Sequence, residues 1–175
     1  MTIRKNTHAP FRLPEFYLDH QPVWYEVSFT DSCRYRFGND DDNDINKLFG
    51  VAFITWGSFW FVIKNLFKGK LKALHHYNSI RYGWRYDALS NRFEVWRYIY
   101  FNGDRFMWYV DGLNVGESVM LYMMPIDLND KQCTYSLGGI YKIWMPAHSL
   151  KYKLLPYFGG NRKAPHDMII NLKQL

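Results

Sequence analysis

Hydrophobic and polar residues alternate with a period of two along most of the chain, from Val23 to Leu172. In the first such segment, Val23, Tyr25, Val27 and Phe29 occupy every second position. Side chains of a strand point alternately to its two faces, so this pattern predicts half-buried strands. The predicted strands lie near residues 23–30, 33–37, 79–86, 92–101, 105–111, 117–124, 132–137, 140–145, 150–158 and 167–173.

Turn-forming residues separate these segments. They are Ser90-Asn91, Asn102-Gly103, Asn129-Asp130, Gly138-Gly139 and Gly159-Gly160-Asn161. Many short strands with such turns between them indicate an all-β fold, an antiparallel sandwich or jelly roll. The chain of 175 residues has no internal repeat or low-complexity linker. We therefore expect one domain over residues 1–175, with residues 1–20 as an extended N-terminal arm.

Composition and missing motifs exclude several classes of protein. Hydrophobic residues make up 48% and aromatic residues 19% of the chain, which excludes disorder over most of its length. Cys33 and Cys133 are too few for a disulfide scaffold, and we expect both to be buried free thiols. No zinc-type Cys/His cluster, Gly-rich phosphate loop or GxSxG motif occurs. We expect no cofactor.

The segment 59–76 departs from the strand pattern. It places Lys64, Lys68 and Lys70 among large apolar residues. A glycine inside a helix costs roughly 1 kcal/mol, so Gly69 favours a protruding hairpin or loop; a basic membrane-surface helix is the alternative. The longest apolar run, 48–63, is shorter than the roughly 20 residues of a membrane span. We expect no membrane partner.

Two turns set the register of the central strands. Asn102-Gly103 is a strong hairpin signal and pairs Phe101 with Asp104, and the turn at 88–91 pairs Asp87 with Arg92. Counting outward from these turns gives further pairs. They are Tyr100–Arg105, Tyr98–Met107, Trp96–Tyr109, Glu94–Asp111, Arg85–Glu94, Gly83–Trp96 and Arg81–Tyr98.

These registers divide the three strands into two faces. The expected core face comprises Ile80, Tyr82, Trp84, Tyr86, Phe93, Val95, Ile99, Phe106, Trp108 and Val110, with Arg97 as a misfit that stacks on Trp108 or reaches an edge. The other face carries the candidate ligand-binding residues Arg81, Arg85, Glu94, Trp96, Tyr98, Tyr100 and Tyr109, with Gly83 leaving room over the indole. Aromatic rings interleaved with arginines suit sugars and nucleobases. An ordinary exposed face and a subunit contact remain alternatives.

Charge is concentrated in one acidic loop. Asp40, Asp42 and Asp44 offer oxygen ligands at alternate positions and form a candidate calcium site. Ile45 and Val51 stand where an EF-hand needs glycine and glutamate, so we favour a solvated acidic loop and expect no metal. Four of the 16 acidic residues lie in this loop, which leaves 12 against 22 Lys and Arg elsewhere. That excess permits attraction to acidic glycans or phosphates.

The C-terminal segment carries a resemblance. Residues 157–161, Tyr-Phe-Gly-Gly-Asn, and 164–172, Ala-Pro-His-Asp-Met-Ile-Ile-Asn-Leu, resemble the closing strands of concanavalin A-like lectin/glucanase sandwiches. The Arg-bearing strand 79–86 resembles their concave-sheet strands. The resemblance implies a concanavalin A-like sandwich and glycan binding. The E-x-D-x-x-E signature of that superfamily's hydrolases is missing, so no catalytic residue is carried over.

We therefore expect a non-enzymatic carbohydrate-binding module. A phage or virion structural or assembly protein that forms a homo-oligomer is the alternative. A polysaccharide lyase is the third hypothesis, in which Arg81, Arg85, Tyr98 and His76 would act on a uronate. We do not expect nucleic acid as a partner. Residues 1–14 are polar and basic without an apolar segment, which predicts no signal peptide and a place in the cytoplasm or a virion.

Overall fold

Antiparallel strands carry most of the structure. The computed structural model describes residues 1–10, 15–129, 131–139, 141–160 and 162–175. Its strands are β1 (Thr2–Ile3), β2 (Phe16–Tyr17), β3 (Val23–Phe29), β4 (Asn46–Ile54), β5 (Ser79–Asp87), β6 (Arg92–Phe101), β7 (Asp104–Leu113), β8 (Ser118–Leu128), β9 (Gln132–Leu137), β10 (Tyr141–Pro146), β11 (Leu150–Leu154) and β12 (Met168–Gln174). The helix α1 spans Trp56–Leu66. The predicted turn residues Asp130 and Asn161 lie outside the described residues.

The strands form two sheets. In the described part of the chain, the first sheet has the order β1-β12-β3-β8-β9-β10 and the second has the order β2-β11-β4-β5-β6-β7. Neighbouring strands in both sheets run antiparallel. The predicted all-β sandwich is confirmed. Residues of the expected N-terminal arm join both sheets: Ile3 is fully buried beside β12, and β2 pairs with β11.

The inner faces of the two sheets meet through aromatic rings. Trp84 on β5 lies 5.0 Å from Phe29 on β3, measured between ring centroids, and Phe93 on β6 lies 4.8 Å from Phe29. The buried part of the predicted core face is Ile80, Tyr82, Trp84, Phe93, Val95 and Ile99. Tyr86, Trp108 and Val110 are half-buried. Phe106 is instead exposed, because β7 is the edge strand of its sheet.

Arg97 is the polar member of this inner face. It is 6% exposed, and its Nε donates a hydrogen bond to the carbonyl oxygen of Leu137 at 3.0 Å. Leu137 is the last residue of β9, so the guanidinium reaches the end of a strand in the opposite sheet. Burial of a guanidinium costs free energy unless its N–H groups are hydrogen-bonded, and the bond to Leu137 offsets part of that cost.

The predicted registers of the central strands are confirmed with one exception. Asn102 and Gly103 both have positive φ, as a two-residue hairpin turn requires. The pairs from Phe101–Asp104 to Trp96–Tyr109 and from Asp87–Arg92 to Arg81–Tyr98 are those predicted. The pair Glu94–Asp111 was wrong, because a β-bulge adds one residue to β7 and places Glu94 opposite Gly112.

The segment 33–37 was wrongly predicted to be a strand. Cys33 ends a 3₁₀ turn that begins at Asp31, and the residues after it pair with no strand. Cys33 and Tyr35 are nevertheless buried. The alternating pattern therefore reflects burial of alternate side chains in a segment that does not form strand hydrogen bonds. Cys33 and Cys133 are both free and buried, as expected. Burial raises the pKa of the Cys33 thiol to about 11.

The segment 59–76 does not form the favoured hairpin, since its first part belongs to α1. The N–H of Thr55 donates to Ser58 Oγ at 3.1 Å and caps the start of the helix. Gly69, with φ of +68°, lies beyond the last helical turn, where the N–H groups of Gly69 and Lys70 bond to Leu66 and Asn65. This Schellman arrangement favours glycine, so Gly69 ends the helix and does not interrupt it.

Within the described residues, no helix is both long enough and apolar enough to cross a bilayer.

Replacing Trp84 should destabilise the fold strongly. Its side chain is fully buried between the sheets, so Trp84→Ala should lower the free energy of unfolding by about 3–5 kcal/mol. Trp144 on β10 is exposed and provides the matched control, for which Trp144→Ala should change stability by less than about 0.5 kcal/mol. Urea denaturation followed by circular dichroism measures both, and equal losses would contradict the assigned core.

Candidate functional site

The seven candidate ligand-binding residues share one surface of the second sheet, which we call the outer face. They lie on β5, β6 and β7, as the registers require: Arg81, Arg85, Glu94, Trp96, Tyr98, Tyr100 and Tyr109. The outer face nevertheless has two parts. One part is accessible to solvent, and the other is buried beneath neighbouring segments of the chain.

The accessible part is a cluster of four side chains, Arg85, Glu94, Trp96 and Tyr109, which we call the Trp96 cluster. Arg85 Nε donates to Glu94 Oε2 at 2.5 Å, and Trp96 Nε1 donates to the same oxygen at 3.1 Å. The Arg85 guanidinium lies 5.6 Å from the centroid of the Trp96 ring. Trp96 and Tyr109 meet edge to face, with centroids 5.7 Å apart. One carboxylate thus holds both the cation and the indole in place.

Tyr109 is the most open ring of the cluster. Its side chain is 50% exposed, whereas Trp96 is half-buried between Arg85 and Tyr109. The hydrogen bond to Glu94 raises the pKa of Arg85, so this guanidinium stays charged at any physiological pH. The cluster therefore presents one exposed aromatic face, that of Tyr109, beside a fixed ion pair.

The buried part of the outer face holds Arg81, Tyr98 and Tyr100. Arg81 and Tyr98 are each 4% exposed, and Ile45 packs on the two tyrosines. Lys47 Nζ lies 4.8 Å from the centroid of the Tyr98 ring. These three residues were expected to face a ligand, but other segments of the chain cover them, with Ile45 over the two tyrosines and Leu155 beside Arg81.

Two glycines allow the start of β4 to lie close against β5. A Cβ at Gly83 would lie 2.5 Å from Ile45 Cγ2 and 2.7 Å from the Asn46 carbonyl oxygen. A Cβ at Gly50 would lie 2.3 Å from Arg81 Cβ. The space above Gly83, which we expected to stand open over Trp96, is therefore filled by Ile45.

Positive charge accumulates in the buried part. Arg81 Nη2 donates to the Leu155 carbonyl oxygen at 3.2 Å, while Arg81 Nε has no hydrogen-bond partner. Burial, with Arg81 nearby, lowers the pKa of Lys47 to about 8, although Asp44 acts in the opposite direction. Among the described residues, no ion pair involves Lys47 or Arg81. Local potential at this part of the face is therefore positive.

Two histidines adjoin these cations. Burial, together with the charge of Arg81, lowers the pKa of His75 to about 3, and burial with the charge of Lys72 lowers that of His76 to about 4. His75 Nδ1 lies 3.0 Å from the Tyr152 hydroxyl, and the Ala73 N–H donates to His76 Nδ1 at 3.1 Å. Both rings are neutral at pH 7.

The acidic loop borders the Trp96 cluster. Asp42 accepts hydrogen bonds from the N–H groups of Phe37 and Gly38, and Asp41 pairs with Arg162 at 2.7 Å. The described residues contain no group of three metal-binding side chains, so Asp40, Asp42 and Asp44 are not gathered into the candidate calcium site.

A cavity beside Arg85 was missed by the sequence analysis. Its volume is about 350 Å³, and it lies between the acidic loop and the end of β5. Asn43 Oδ1 accepts a hydrogen bond from Arg85 Nη1 at 3.1 Å at its border. Asn43 and Arg36 line it although neither belongs to the predicted strands of the meander. The period-two pattern contained no signal for a loop folded against the strand end.

No protein-family model matches the chain, and no curated protein matches it. Among solved structures, one similar chain is CG-16, a homodimeric agglutinin from chicken liver. It is 6% identical, the likeness covers 99% of this chain and 98% of that chain, and the TM-score is 0.30. At these values the likeness carries no weight for a ligand or an oligomeric state.

The two half-buried histidines, His75 and His76, should make the fold sensitive to acid. An unfolded chain binds protons on histidine below pH 6.5, whereas His75 and His76 stay neutral in the fold down to about pH 3 and pH 4. Stability from these residues is therefore present above pH 6.5 and lost as the pH falls. Melting temperatures between pH 7 and pH 4 should decline less steeply in the His75→Asn/His76→Asn variant. His148→Asn, at an exposed position, should keep the wild-type slope.

Proposed function

We propose that the chain is a non-enzymatic carbohydrate-binding module whose ligand contacts the Trp96 cluster. The observation that carries the proposal is the half-exposed Tyr109 ring, held edge to face against Trp96 beside the Arg85–Glu94 ion pair. Apolar C–H faces of a pyranose stack on aromatic rings, and charged side chains such as arginine and glutamate form hydrogen bonds with its hydroxyl groups. The cluster offers both contacts on adjacent strands.

The order of the cluster supports binding. Glu94 accepts hydrogen bonds from Arg85 and Trp96, so both side chains are restrained before a ligand arrives. A restrained contact surface loses less conformational entropy on association, which leaves more of the contact energy for affinity.

The surrounding charge favours an acidic glycan, such as a uronate or a sulfated sugar. Lys47 and Arg81 lie at the buried part of the outer face, and Arg105 is exposed on β7 next to Tyr98. Glu94 is neutralised by Arg85. These three cations outnumber Asp44, the acidic-loop carboxylate that acts on Lys47 and Arg105, so a negatively charged ligand is attracted on this side of the cluster. That attraction raises its association rate and its affinity at low salt.

Binding without hydrolysis is supported by the placement of the carboxylates. Glycoside hydrolysis uses two carboxyl groups a few ångströms apart, and the predicted register placed the carboxylates of Glu94 and Asp111 opposite each other. The bulge in β7 places Glu94 opposite Gly112 instead, and Arg85 already engages the Glu94 carboxylate. For the lyase hypothesis, two of its four residues, Arg81 and Tyr98, are buried.

Removing the aromatic platform should abolish most of the affinity. A glycan array identifies the strongest ligand, and isothermal titration calorimetry with that oligosaccharide measures the variants. A stacked ring contributes about 1–3 kcal/mol, so Tyr109→Ala and Trp96→Ala should each weaken binding by about 5-fold to 150-fold. Trp144→Ala, on the other sheet, should bind as the wild type does. Wild-type affinity in Tyr109→Ala would overturn the assigned site.

Salt should separate the acidic-glycan hypothesis from binding of neutral sugars. Affinity for a uronate or sulfated oligosaccharide should fall as NaCl is raised from 50 to 500 mM, because exposed charges are screened over a shorter distance. Arg105→Gln should reduce this dependence. An array on which neutral glycans rank first would exclude the acidic ligand but not carbohydrate binding.

A further inference from the structure

Helix α1 and the turn that follows it expose a continuous apolar surface. Trp56 is 83% exposed, Trp60 68% and Phe67 89%. We call this surface the α1 apolar face; its members are Trp56, Phe59, Trp60, Ile63, Leu66, Phe67 and Leu71. Large apolar side chains gathered in one exposed patch mark an interaction surface more often than scattered ones do.

The helix is oriented in the opposite sense to an ordinary surface helix. Trp56, Trp60, Ile63 and Phe67 follow the spacing of one helix face, and this face points to solvent. The opposite side, with Ser58, Phe61, Val62 and Asn65, faces the protein. Ser58 is fully buried and its hydroxyl lies 3.4 Å from the Phe53 carbonyl oxygen, and the Asn65 amide bonds to the Phe61 carbonyl at 2.8 Å.

The sandwich holds the helix firmly in this orientation. The Phe61 ring lies 5.4 Å from the Tyr77 ring, and a Cβ at Gly103 would lie 2.6 Å from Phe61. A Cβ at Gly57 would lie 2.7 Å from the Tyr77 ring, so the glycine is needed for this close approach. Rotating the apolar face inward would break these contacts.

Positive charge surrounds the α1 apolar face. Lys64, Lys68, Lys70 and Lys72 lie on the helix or in the turn after it, and residues 55–76 contain no Asp or Glu. Apart from the half-buried Lys72, these lysines are exposed. None of the ion pairs between described residues involves them. A partner for this surface therefore needs an apolar layer and negative charge.

We propose that the α1 apolar face binds the surface of an anionic lipid bilayer, with α1 lying in the interface. Trp side chains favour the headgroup level, and lysines beside an apolar helix face extend to anionic headgroups. The lysines argue against a second copy as the partner, because a symmetric pair would bring the same four lysines of each copy together. This surface is separate from the Trp96 cluster and goes beyond carbohydrate binding.

A groove extends the apolar face beyond the helix. Its volume is about 610 Å³, and it lies between the start of α1 and the start of β11, lined by Trp56, Phe59, Ile54, Leu18 and Leu150. Leu18 and Leu150 are themselves exposed. The groove thus continues the surface that would enter the acyl boundary. Our expectation of no membrane partner rested in part on the idea that Gly69 interrupts a helix. In the structure Gly69 lies after the end of α1, so the helix forms.

Vesicle sedimentation tests the proposal on the full chain. The wild type should sediment with vesicles of 70% phosphatidylcholine and 30% phosphatidylglycerol, and only weakly with pure phosphatidylcholine. Trp60→Ser/Phe67→Ser should abolish sedimentation. Replacing the four lysines by alanine should lower partitioning by about 100-fold or more, since each lysine near an anionic surface contributes roughly 5-fold. Trp144→Ser, at an exposed position on the first sheet, should behave as the wild type.

Fluorescence and light scattering complete the test. Brominated lipids should quench tryptophan emission in the wild type, and Trp56→Phe/Trp60→Phe should lose this quenching while it still sediments. Unchanged melting temperatures would show that the variants fold. Absence of sedimentation with the anionic vesicles overturns the proposal. A dimer by multi-angle light scattering that Trp60→Ser/Phe67→Ser disperses, without vesicle binding, assigns the face to a second copy instead.

Discussion

Contact between aromatic rings across the two sheets is the interaction on which the rest of the structure depends. Phe29 from the first sheet packs on Trp84 and Phe93 from the second. This packing determines which side of β5 and β6 faces inward. Because successive side chains of a strand point to opposite faces, it also requires Arg85, Glu94 and Trp96 to point outward. A register shift of one residue would bury that ion pair and expose the core, so the candidate site is as firmly specified as the core itself.

The outer face shows how one sheet surface acquires two different environments. Where Ile45 and Lys47 lie over the strands, Tyr98 becomes part of a second, smaller core, and Arg81 is buried beside Leu155. Where no segment covers the strands, side chains that follow the same alternation form the Trp96 cluster. The difference comes from the close approach of β4, which Gly83 permits. Burial of Lys47 and Arg81 without ion-pair partners among the described residues costs free energy, and their charges add positive potential beside the accessible part.

Helix α1 adds a second surface, which differs from the Trp96 cluster in its chemistry. The Trp96 cluster consists of polar and aromatic groups that restrain one another through Glu94. The α1 apolar face consists of large, exposed side chains, on a helix whose opposite side is anchored to the sandwich through Ser58 and Phe61. Exposed apolar area of this kind is unfavourable in water. A large exposed apolar patch beside four lysines is therefore typical of an interaction surface.

The sequence by itself determined the strands of the central meander, their register and their two faces. These features are local, because Asn102-Gly103 specifies a two-residue turn and the alternation follows from strand geometry. Only the tertiary structure decided that Tyr98 and Arg81 are buried, since Ile45, which packs on Tyr98, and Leu155, which contacts Arg81, are far away in the chain. It also decided the bulge that separates Glu94 from Asp111 and the cavity beside Arg85. Each depends on how distant segments pack, and a residue pattern along one strand contains no measure of that packing.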